Sequence, residues 1–274
     1  MPDEFHDHDG EPVNAVHGFT RFLCELLERS RAEHIAVAFD ASLTTSFRNT
    51  IYPAYKANRE LPPPQLVRQF GLCREISAAL GLTVLNDHQY EADDLIGSAL
   101  WGLRAHGFRG VIVSADKDFG QLLGEHDEQW DFAKGVRWGP AGVFDKLGVH
   151  PHQVADYLAL CGDAVDNIPG VPGIGAKTAA ALLAHFGSLD NLLERVDEVP
   201  YLRIRGAAAC AARLREHAEL ALLYRRLTRI ALDVAVAETA DALARRQGDV
   251  SAVDELCERI RFGPMTRSRL RALL

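Results

Sequence analysis

The chain has 274 residues, of which 47% are hydrophobic and 25% are charged, and its formal net charge at pH 7 is −8. Such a chain can bury a sizeable core in one large or two modest domains. We find neither an apolar run that could span a bilayer nor a leader-like start, so we expect a cytoplasmic protein without a membrane partner. The negative charge argues against a uniformly basic surface, although local groups of cations could still bind nucleic acid.

The first half of the chain alternates predicted helices and strands. Apolar residues at helical spacing predict a helix over residues 15–32, and the apolar run 34–39 predicts a buried strand that ends at Asp40. The alternation continues with a helix over 65–80, a strand over 82–85, a helix over 91–105 and a strand over 110–114. This order favours an α/β fold with a parallel sheet between helices, whose ligands bind beyond the carboxyl ends of the strands.

Carboxylates are clustered where these elements end or begin. They are Asp40, then Glu91, Asp93 and Asp94, then Asp116 and Asp118, and finally Asp163 and Asp166. Taken singly, each acid is more typical of a helix cap or a turn. So many carboxylates around one cleft would repel each other unless divalent cations neutralised them, and their oxygens suit Mg²⁺ or Mn²⁺. Together they indicate metal-assisted chemistry on phosphate.

Cations and aromatic residues are interleaved after the first predicted strand. Residues 42–64 contain Arg48, Tyr52, Tyr55, Lys56 and Arg59 and end in three prolines. Cations can neutralise phosphates while aromatic rings stack on exposed bases, as in channels for single-stranded nucleic acid. The alternative is a solvated helix face with a proline exit.

The pattern changes after about Gly148, where helices follow one another without strands. We therefore expect an α/β domain over residues 1–148 and a helical domain over residues 149–274.

A glycine-rich segment of the second half predicts a helix-hairpin-helix over about residues 165–185. Its glycines are Gly170, Gly173 and Gly175, and Lys177 and Thr178 follow in the first turn of the next helix. Glycines let the backbone approach a phosphate closely, and the N–H groups that open a helix point at it. The alternative is a helical turn with glycine caps.

In this order, the motifs resemble the 5′-nucleases of the flap endonuclease superfamily, close to the 5′-3′ exonuclease domain of bacterial DNA polymerase I. The resemblance extends over about residues 10–265. It is carried by the segments 10–19, 39–40, 47–48, 52–59, 90–94, 115–118 and 162–170 and by the hairpin. It implies a parallel-sheet, PIN-like nuclease domain followed by a helical domain of the H3TH type.

The resemblance also implies roles for individual residues. Asp40, Glu91, Asp93 and Asp94 would serve one Mg²⁺ or Mn²⁺ ion, and Asp116, Asp118, Asp163 and Asp166 a second, some of them through water. Two such ions can activate water and stabilise the departing oxygen of a phosphodiester. Residues 42–64 would form an arch beside the 5′ strand, with Lys56 and Arg48 at the scissile phosphate and Tyr52, Tyr55 and Arg59 as further DNA contacts. A K⁺ ion at the hairpin completes the implied cofactors.

The function predicted in this way is that of a monomeric 5′-3′ exonuclease and 5′-flap endonuclease that acts on flapped, nicked or gapped DNA in replication and repair. Family members begin with an apolar strand that ends in a metal-binding aspartate, whereas only residues 1–9 precede the motif at Gly10. One alternative is therefore a DNA-structure-binding protein with impaired catalysis, and another is a ribonuclease. Because a parallel sheet would lack a strand, we expect a longer reading frame upstream to encode it.

Overall fold

A computed structural model describes residues 5–42, 44–236 and 239–274. Its helices are α1 (Asn14–Ser30), α2 (Phe47–Ile51), α3 (Pro64–Ala79), α4 (Ala92–Arg104), α5 (Pro140–Leu147), α6 (Val154–Cys161), α7 (Ala176–Phe186), α8 (Leu189–Glu194), α9 (Ala207–Glu216), α10 (Ala218–Thr228), α11 (Ala240–Leu243), α12 (Val250–Ile260) and α13 (Pro264–Arg271). Its strands are β1 (Ala36–Asp40), β2 (Thr83–Asp87), β3 (Val111–Val113), β4 (Glu128–Asp131) and β5 (Val136–Trp138). Short 3₁₀ helices cover Lys117–Leu122, Pro151–Gln153 and Val196–Tyr201. No helix within the described ranges is long and apolar enough to cross a membrane.

The described residues form two compact units, and each unit is assembled from separate segments. The first draws on Met1–Ala41, Glu60–Leu95 and Ala235–Leu274, and the second on Ser42–Arg59 and Ile96–Val234. Each unit therefore contains residues from both sides of position 148. The predicted domain boundary between residues 148 and 149 stays a prediction. Within the predicted arch, Leu43 lies outside the described residues.

The first unit is built on two parallel strands. β1 pairs with β2 in a register that runs from Ala36 opposite Thr83 to Asp40 opposite Asp87. Helices α1, α3 and α12 contribute the apolar core of this unit, which includes Leu23, Leu27, Leu72, Ile76, Leu256 and Ile260. The predicted parallel pairing of the strands is thereby confirmed, and the carboxyl ends of both strands carry an aspartate.

The second unit combines a small mixed sheet with a helical part. β3 pairs in parallel with β4, and β4 pairs with β5 in the antiparallel direction. β4 was not predicted, because this strand buries the polar residues Gln129 and Asp131 and so lacks an apolar alternation. Helices α6 to α10 surround a core that includes Leu158, Leu182, Leu189, Leu214 and Leu227.

A buried carboxylate organises the beginning of the described chain. Asp7 is 2% exposed, and its Oδ1 accepts hydrogen bonds of 2.9 Å from the N–H groups of Asp9 and Glu11. Its Oδ2 pairs with the guanidinium of Arg68 on α3. Burial alone would raise the pKa of Asp7, but these donors outweigh it and hold the pKa below its ordinary value. The carboxylate therefore ties this turn to α3.

Replacing Asp7 by asparagine should lower the free energy of unfolding by about 1–3 kcal/mol near pH 7, because the charge-assisted bonds to Arg68 and the N–H groups are weakened. A carboxyl with a depressed folded pKa stabilises the fold above its ordinary pKa of 3.8 and loses that contribution as the pH falls. The deficit of Asp7→Asn in urea unfolding should thus stay constant above about pH 5 and shrink as the pH falls below about 4. Asp9→Asn, which changes an exposed carboxyl, is the control, and a deficit independent of pH would contradict this account.

Candidate metal and nucleic-acid sites

The predicted ligands of the first ion lie at the beginning of α4. Asp40 ends β1, and its Oδ1 accepts a hydrogen bond of 2.7 Å from the N–H of Ala92. Asp94 is fully buried, and its Oδ2 accepts a hydrogen bond of 3.0 Å from the N–H of Glu91. Carboxylates are favoured at this position because the first N–H groups of a helix lack partners within the helix. The structure thus brings Asp40 to the helix turn that carries Glu91, Asp93 and Asp94.

The predicted ligands of the second ion surround an ammonium group. The Nζ atom of Lys117 lies 2.5 Å from Asp163 Oδ2 and 3.3 Å from Asp118 Oδ1. Asp116 begins the adjacent 3₁₀ helix, since its Oδ1 accepts a hydrogen bond of 3.0 Å from the N–H of Asp118. Asp163 is 6% exposed and exchanges two backbone hydrogen bonds of 2.8 Å with Ile168. These contacts place two carboxylates on one ammonium group, and Asp116 is bonded to the backbone of Asp118.

Crowding shifts the pKa of one carboxyl in this group. Burial, joined by the charges of Asp116, Asp163 and Asp166, raises the pKa of Asp118 to about 7, although the ammonium of Lys117 acts in the opposite direction. Burial would lower the pKa of Lys117, but Asp118 and Asp163 outweigh it and hold that pKa above its ordinary value. The buried Oδ1 of Asp118 has the ammonium of Lys117 at 3.3 Å as an ion-pair partner and accepts no hydrogen bond of good geometry from the residues that the structure describes.

These features fit a divalent cation in the second unit. A cation would relieve the repulsion among the carboxylates and would satisfy the buried oxygen of Asp118 with a hard positive charge. Within residues 5–42, 44–236 and 239–274, no three acidic, histidine or cysteine side chains stand in positions that would hold a metal ion directly. The ammonium of Lys117 stands between Asp118 and Asp163 instead. A bound ion would therefore contact some carboxylates through water or displace this ammonium.

The cationic segment after α2 is bonded to Asp166. Tyr55 donates its hydroxyl hydrogen to Asp166 Oδ2 at 3.2 Å, and Arg59 Nη2 donates to Asp166 Oδ1 at 2.7 Å. Between them, the backbone N–H of Lys56 donates to the carbonyl oxygen of Asp166 at 3.0 Å. Lys56 is thereby fixed beside the carboxylate group.

The backbone of Lys56 adopts a conformation that is rare for its residue type. Its φ is +53°, in the left-handed region that side chains with a Cβ seldom occupy. Such conformations cost roughly 1–3 kcal/mol and persist where the surroundings impose them, often at functional sites. Here the bonds of Tyr55 and Arg59 to Asp166 flank the residue on both sides. The role of Lys56 at the scissile phosphate stays a prediction.

Arg48, which was predicted to lie at the scissile phosphate, is bonded to backbone carbonyl groups in the structure. It is 1% exposed, and its Nε and Nη2 donate hydrogen bonds of 2.7 Å and 2.9 Å to the carbonyl oxygens of Leu227 and Arg229. The role of Arg48 at the scissile phosphate stays a prediction. Its guanidinium anchors the beginning of α2 to the end of α10.

The two tyrosines of the segment also face the protein. Tyr55 is 3% exposed and belongs to the core of the second unit, so in this structure its ring is not available to stack on a base. Tyr52 is half-buried, and its ring lies edge-on to Tyr224 with 6.0 Å between the centroids. The DNA contacts predicted for Tyr55 and Tyr52 stay predictions. Tyrosine can serve as a buried anchor or as an exposed contact for a base, so the sequence pattern alone does not distinguish the two roles.

Gln129 is a positioning residue that the sequence analysis missed. It is fully buried on β4, and its Nε2 donates to the carbonyl oxygens of Ser114 at 3.0 Å and Asp116 at 2.5 Å. These bonds fix the chain where it leaves β3 and enters the carboxylate group. A glutamine in a short strand belongs to no motif, so no sequence signal marked it.

The glycine-rich turn leads directly into α7. Gly170 has a φ of +71°, and a Cβ there would lie 2.3 Å from the backbone nitrogen of Gly162, so the turn requires glycine at this position. Gly175 is exposed, and a Cβ there would meet no described atom within 4 Å. No side chain in the described part of the chain caps α7, whose first turn carries the exposed Lys177 and the half-buried Thr178. Their contacts with phosphate stay predictions.

Replacing Asp118 by asparagine should stabilise the metal-free protein by on the order of 2 kcal/mol near pH 8, because it removes a charge that burial and neighbouring carboxylates disfavour. A raised folded pKa contributes stability below the ordinary value of 3.8 and loses it as the pH rises through about 7. The gain should therefore decline as the pH is lowered from about 8 to about 5. Thermal unfolding in EDTA measures it, with the exposed Asp145→Asn as the equal-charge control. A loss of stability near pH 8 would contradict the repulsion.

Comparison with known families and proteins accounts for most of the sequence. The family model described as 5′-3′ exonuclease, N-terminal resolvase-like domain, matches residues 1–148, and the model described as 5′-3′ exonuclease, C-terminal SAM fold, matches residues 149–251. DNA polymerase I of Rhizobium leguminosarum is 38% identical over 266 residues, which cover 94% of this chain and 26% of that protein. DNA polymerase I of Bacillus caldotenax is 37% identical over 261 residues, which cover 94% of this chain and 29% of that protein. The chain thus spans about a quarter of the length of these relatives.

Solved structures agree in fold. A T5 5′-exonuclease with bound zinc ions has a TM-score of 0.67 at 19% identity, with 97% of this chain and 92% of that chain covered. The catalytic core of Rad2 in complex with DNA substrate has a TM-score of 0.63 at 14% identity, with 94% and 85% covered. At these identities the likeness concerns the fold, whereas the family models and the polymerase relatives extend to the sequence. Together they establish that the chain belongs to the 5′-3′ exonuclease family.

Proposed function

We propose that the chain is a metal-dependent 5′-nuclease that hydrolyses DNA phosphodiesters at 5′ ends and at 5′ flaps of flapped, nicked or gapped duplexes. The observation that supports this most strongly is the carboxylate group of the second unit, with a cationic segment bonded to it through Asp166. The relatives of the chain are named DNA polymerase I, and one protein of similar fold, the catalytic core of Rad2, was solved in complex with a DNA substrate.

The chemistry is divided between the carboxylates and Lys56. Asp116, Asp118, Asp163 and Asp166 would hold one Mg²⁺ or Mn²⁺ ion, and Asp40, Glu91, Asp93 and Asp94 would hold another. When bound, these ions would activate water and stabilise the charge that develops on the phosphate and the leaving oxygen. The ammonium of Lys56 would add a fixed positive charge at the scissile phosphate, because the backbone bond to Asp166 holds this residue at the carboxylate group.

The hairpin would bind the duplex without reading its sequence. The N–H groups that open α7 and the ammonium of Lys177 are donors that suit a phosphate, and phosphate contacts carry no direct sequence information. Further contacts with the DNA backbone would come from Thr178, Tyr52 and Arg59. A K⁺ ion at the turn belongs to the same proposal.

Asp116→Asn tests the chemistry separately from binding. Loss of one ligand charge should slow cleavage of a 5′-flap duplex by roughly 100-fold or more, as removal of a single electrostatic stabiliser commonly does. Duplex affinity measured in Ca²⁺ should stay similar or rise, because less negative charge faces the phosphates. Single-turnover cleavage in Mg²⁺ is the measurement, and Asp145→Asn, which removes an exposed carboxylate of α5, is the control.

The outcomes of that experiment discriminate among the functions. Retention of most of the wild-type rate by Asp116→Asn would show that the carboxylates do not hold a catalytic ion. If the wild-type protein binds flap DNA but cleaves it in neither Mg²⁺ nor Mn²⁺, the DNA-structure-binding alternative replaces the nuclease. Cleavage confined to RNA strands would favour the ribonuclease.

Gly175→Val and Lys56→Ala should affect different steps. Because a Cβ at Gly175 meets open space and its φ is −91°, valine should leave the melting temperature unchanged while it obstructs the approach of a phosphate to α7. We expect weaker duplex binding, roughly tenfold, with little change in the rate at saturating DNA. Lys56→Ala should show the opposite pattern, a slower chemical step at saturating DNA. Unchanged affinity and salt dependence in Gly175→Val would reduce the hairpin to a packing element.

A further inference from the structure

Many guanidinium groups of the second unit are engaged by a nearby carboxylate. The pairs beyond the hairpin are Arg195 with Glu198, Arg215 with Asp197, and Arg225 with Asp190. Arg213, which is exposed on α9, has no carboxylate within 4.0 Å among the residues that the structure describes. Its charge is therefore available to an external anion.

The guanidinium of Arg213 lies directly on the turn of the hairpin. A Cβ built on Gly173 would come within 1.9 Å of Arg213 Nη1 and 2.7 Å of its Cζ. The guanidinium thus occupies the space that any side chain at position 173 would fill. Gly173 has a φ of +72°, so glycine serves both the turn and the seating of this arginine.

The neighbours of Arg213 on α9 keep it at this position. Cys210, Ala211 and Leu214 are buried in the core of the second unit, whereas Arg213 itself is exposed. The buried residues fix the helix, and the arginine next to Leu214 extends along the hairpin. A planar guanidinium presents its donors in a fixed geometry, so it loses less conformational freedom for each hydrogen bond to an anion than a lysine does.

We propose that Arg213 is a phosphate-binding residue that extends the hairpin surface along the DNA backbone, beyond the N-terminus of α7. Gly173 precedes the first residue of α7 by three positions, which corresponds to at most about 11 Å of chain. About three nucleotides of one strand cover that distance at roughly 3.4 Å each. The planar guanidinium suits the oxygens of one phosphate, while Lys177 and the N–H groups of α7 suit another. The inference deepens the proposed function and rests on it.

The test compares Arg213→Gln with Arg215→Gln. Both residues are exposed on α9, but Arg215 already pairs with Asp197. Binding to a 5′-flap duplex is measured in Ca²⁺ over a series of KCl concentrations. Arg213→Gln should weaken binding about tenfold near 0.1 M salt and make the slope of log affinity against log salt less negative by about 0.9. Arg215→Gln should change neither quantity, and both variants should melt as the wild type does.

A double-mutant cycle with Gly173→Ala makes the test specific to the contact. The methyl group at position 173 would displace the guanidinium, so Gly173→Ala should weaken binding in the wild type but add little in the Arg213→Gln background. The backbone strain that alanine introduces at this φ is common to both backgrounds and cancels in the cycle. Arg213→Lys, which keeps the charge, should preserve most of the salt slope.

The outcomes separate this inference from the proposed function. If the wild type binds and cleaves the flap duplex but Arg213→Gln behaves like Arg215→Gln, the inference is overturned and the nuclease stands. Additive effects of Gly173→Ala and Arg213→Gln would likewise overturn the contact. If the wild type fails to bind the duplex at all, the proposed function falls, and the role of Arg213 falls with it.

Discussion

Repulsion among carboxylates around Asp118 is the constraint on which the second unit depends. A buried carboxylate that faces three others is unfavourable in its charged form, and the pKa of Asp118 near 7 expresses that cost. The fold keeps the group together through the ammonium of Lys117, through Arg59 on Asp166 and through the bonds of Gln129 to the backbone at Asp116. A site whose carboxylates repel each other gains more free energy from binding a cation than a site without such repulsion would. Such local cost is typical where function and stability compete.

The same carboxylate group fixes the cationic segment that follows α2. Arg48 holds the beginning of the segment through the carbonyl oxygens at the end of α10, across a separation of 179 residues along the chain to Leu227. Tyr55 holds it from the core and reaches Asp166 with its hydroxyl group. Lys56 is left between two anchors, in a left-handed conformation that it would not adopt alone. The backbone conformation of one lysine is thus imposed by distant parts of the second unit.

Helices and strands with a local apolar period were predicted from the sequence. Elements and side chains whose burial depends on contacts with distant segments were not. α1, α3, α4, β1 and β2 were expected close to their observed bounds, because each shows an apolar period or a bounded apolar run. β4 was missed, since Gln129 and Asp131 are buried polar residues whose partners are supplied by other segments. The acids were found as a set, and capping was the alternative interpretation of each, whereas the contact of Lys117 with Asp163 was not predicted, because the two residues are 46 positions apart. Tyr55 and Arg48 matched the family motif, but a motif fixes residue type and not exposure.

The net charge of the chain does not describe the local charge near the hairpin, where some cations have no acidic partner. At −8 the chain as a whole repels DNA, and several arginines of the second unit are neutralised by neighbouring acids. Lys177 and Arg213 have no carboxylate partner among the described residues. Lys177 lies on α7, and the guanidinium of Arg213, which belongs to α9, lies against the turn that precedes α7. A duplex approaching such a protein is attracted at few places, so its orientation is selected by the positions of unpaired cations and not by base contacts. Pairing some arginines with acids is therefore as important for binding geometry as leaving others unpaired.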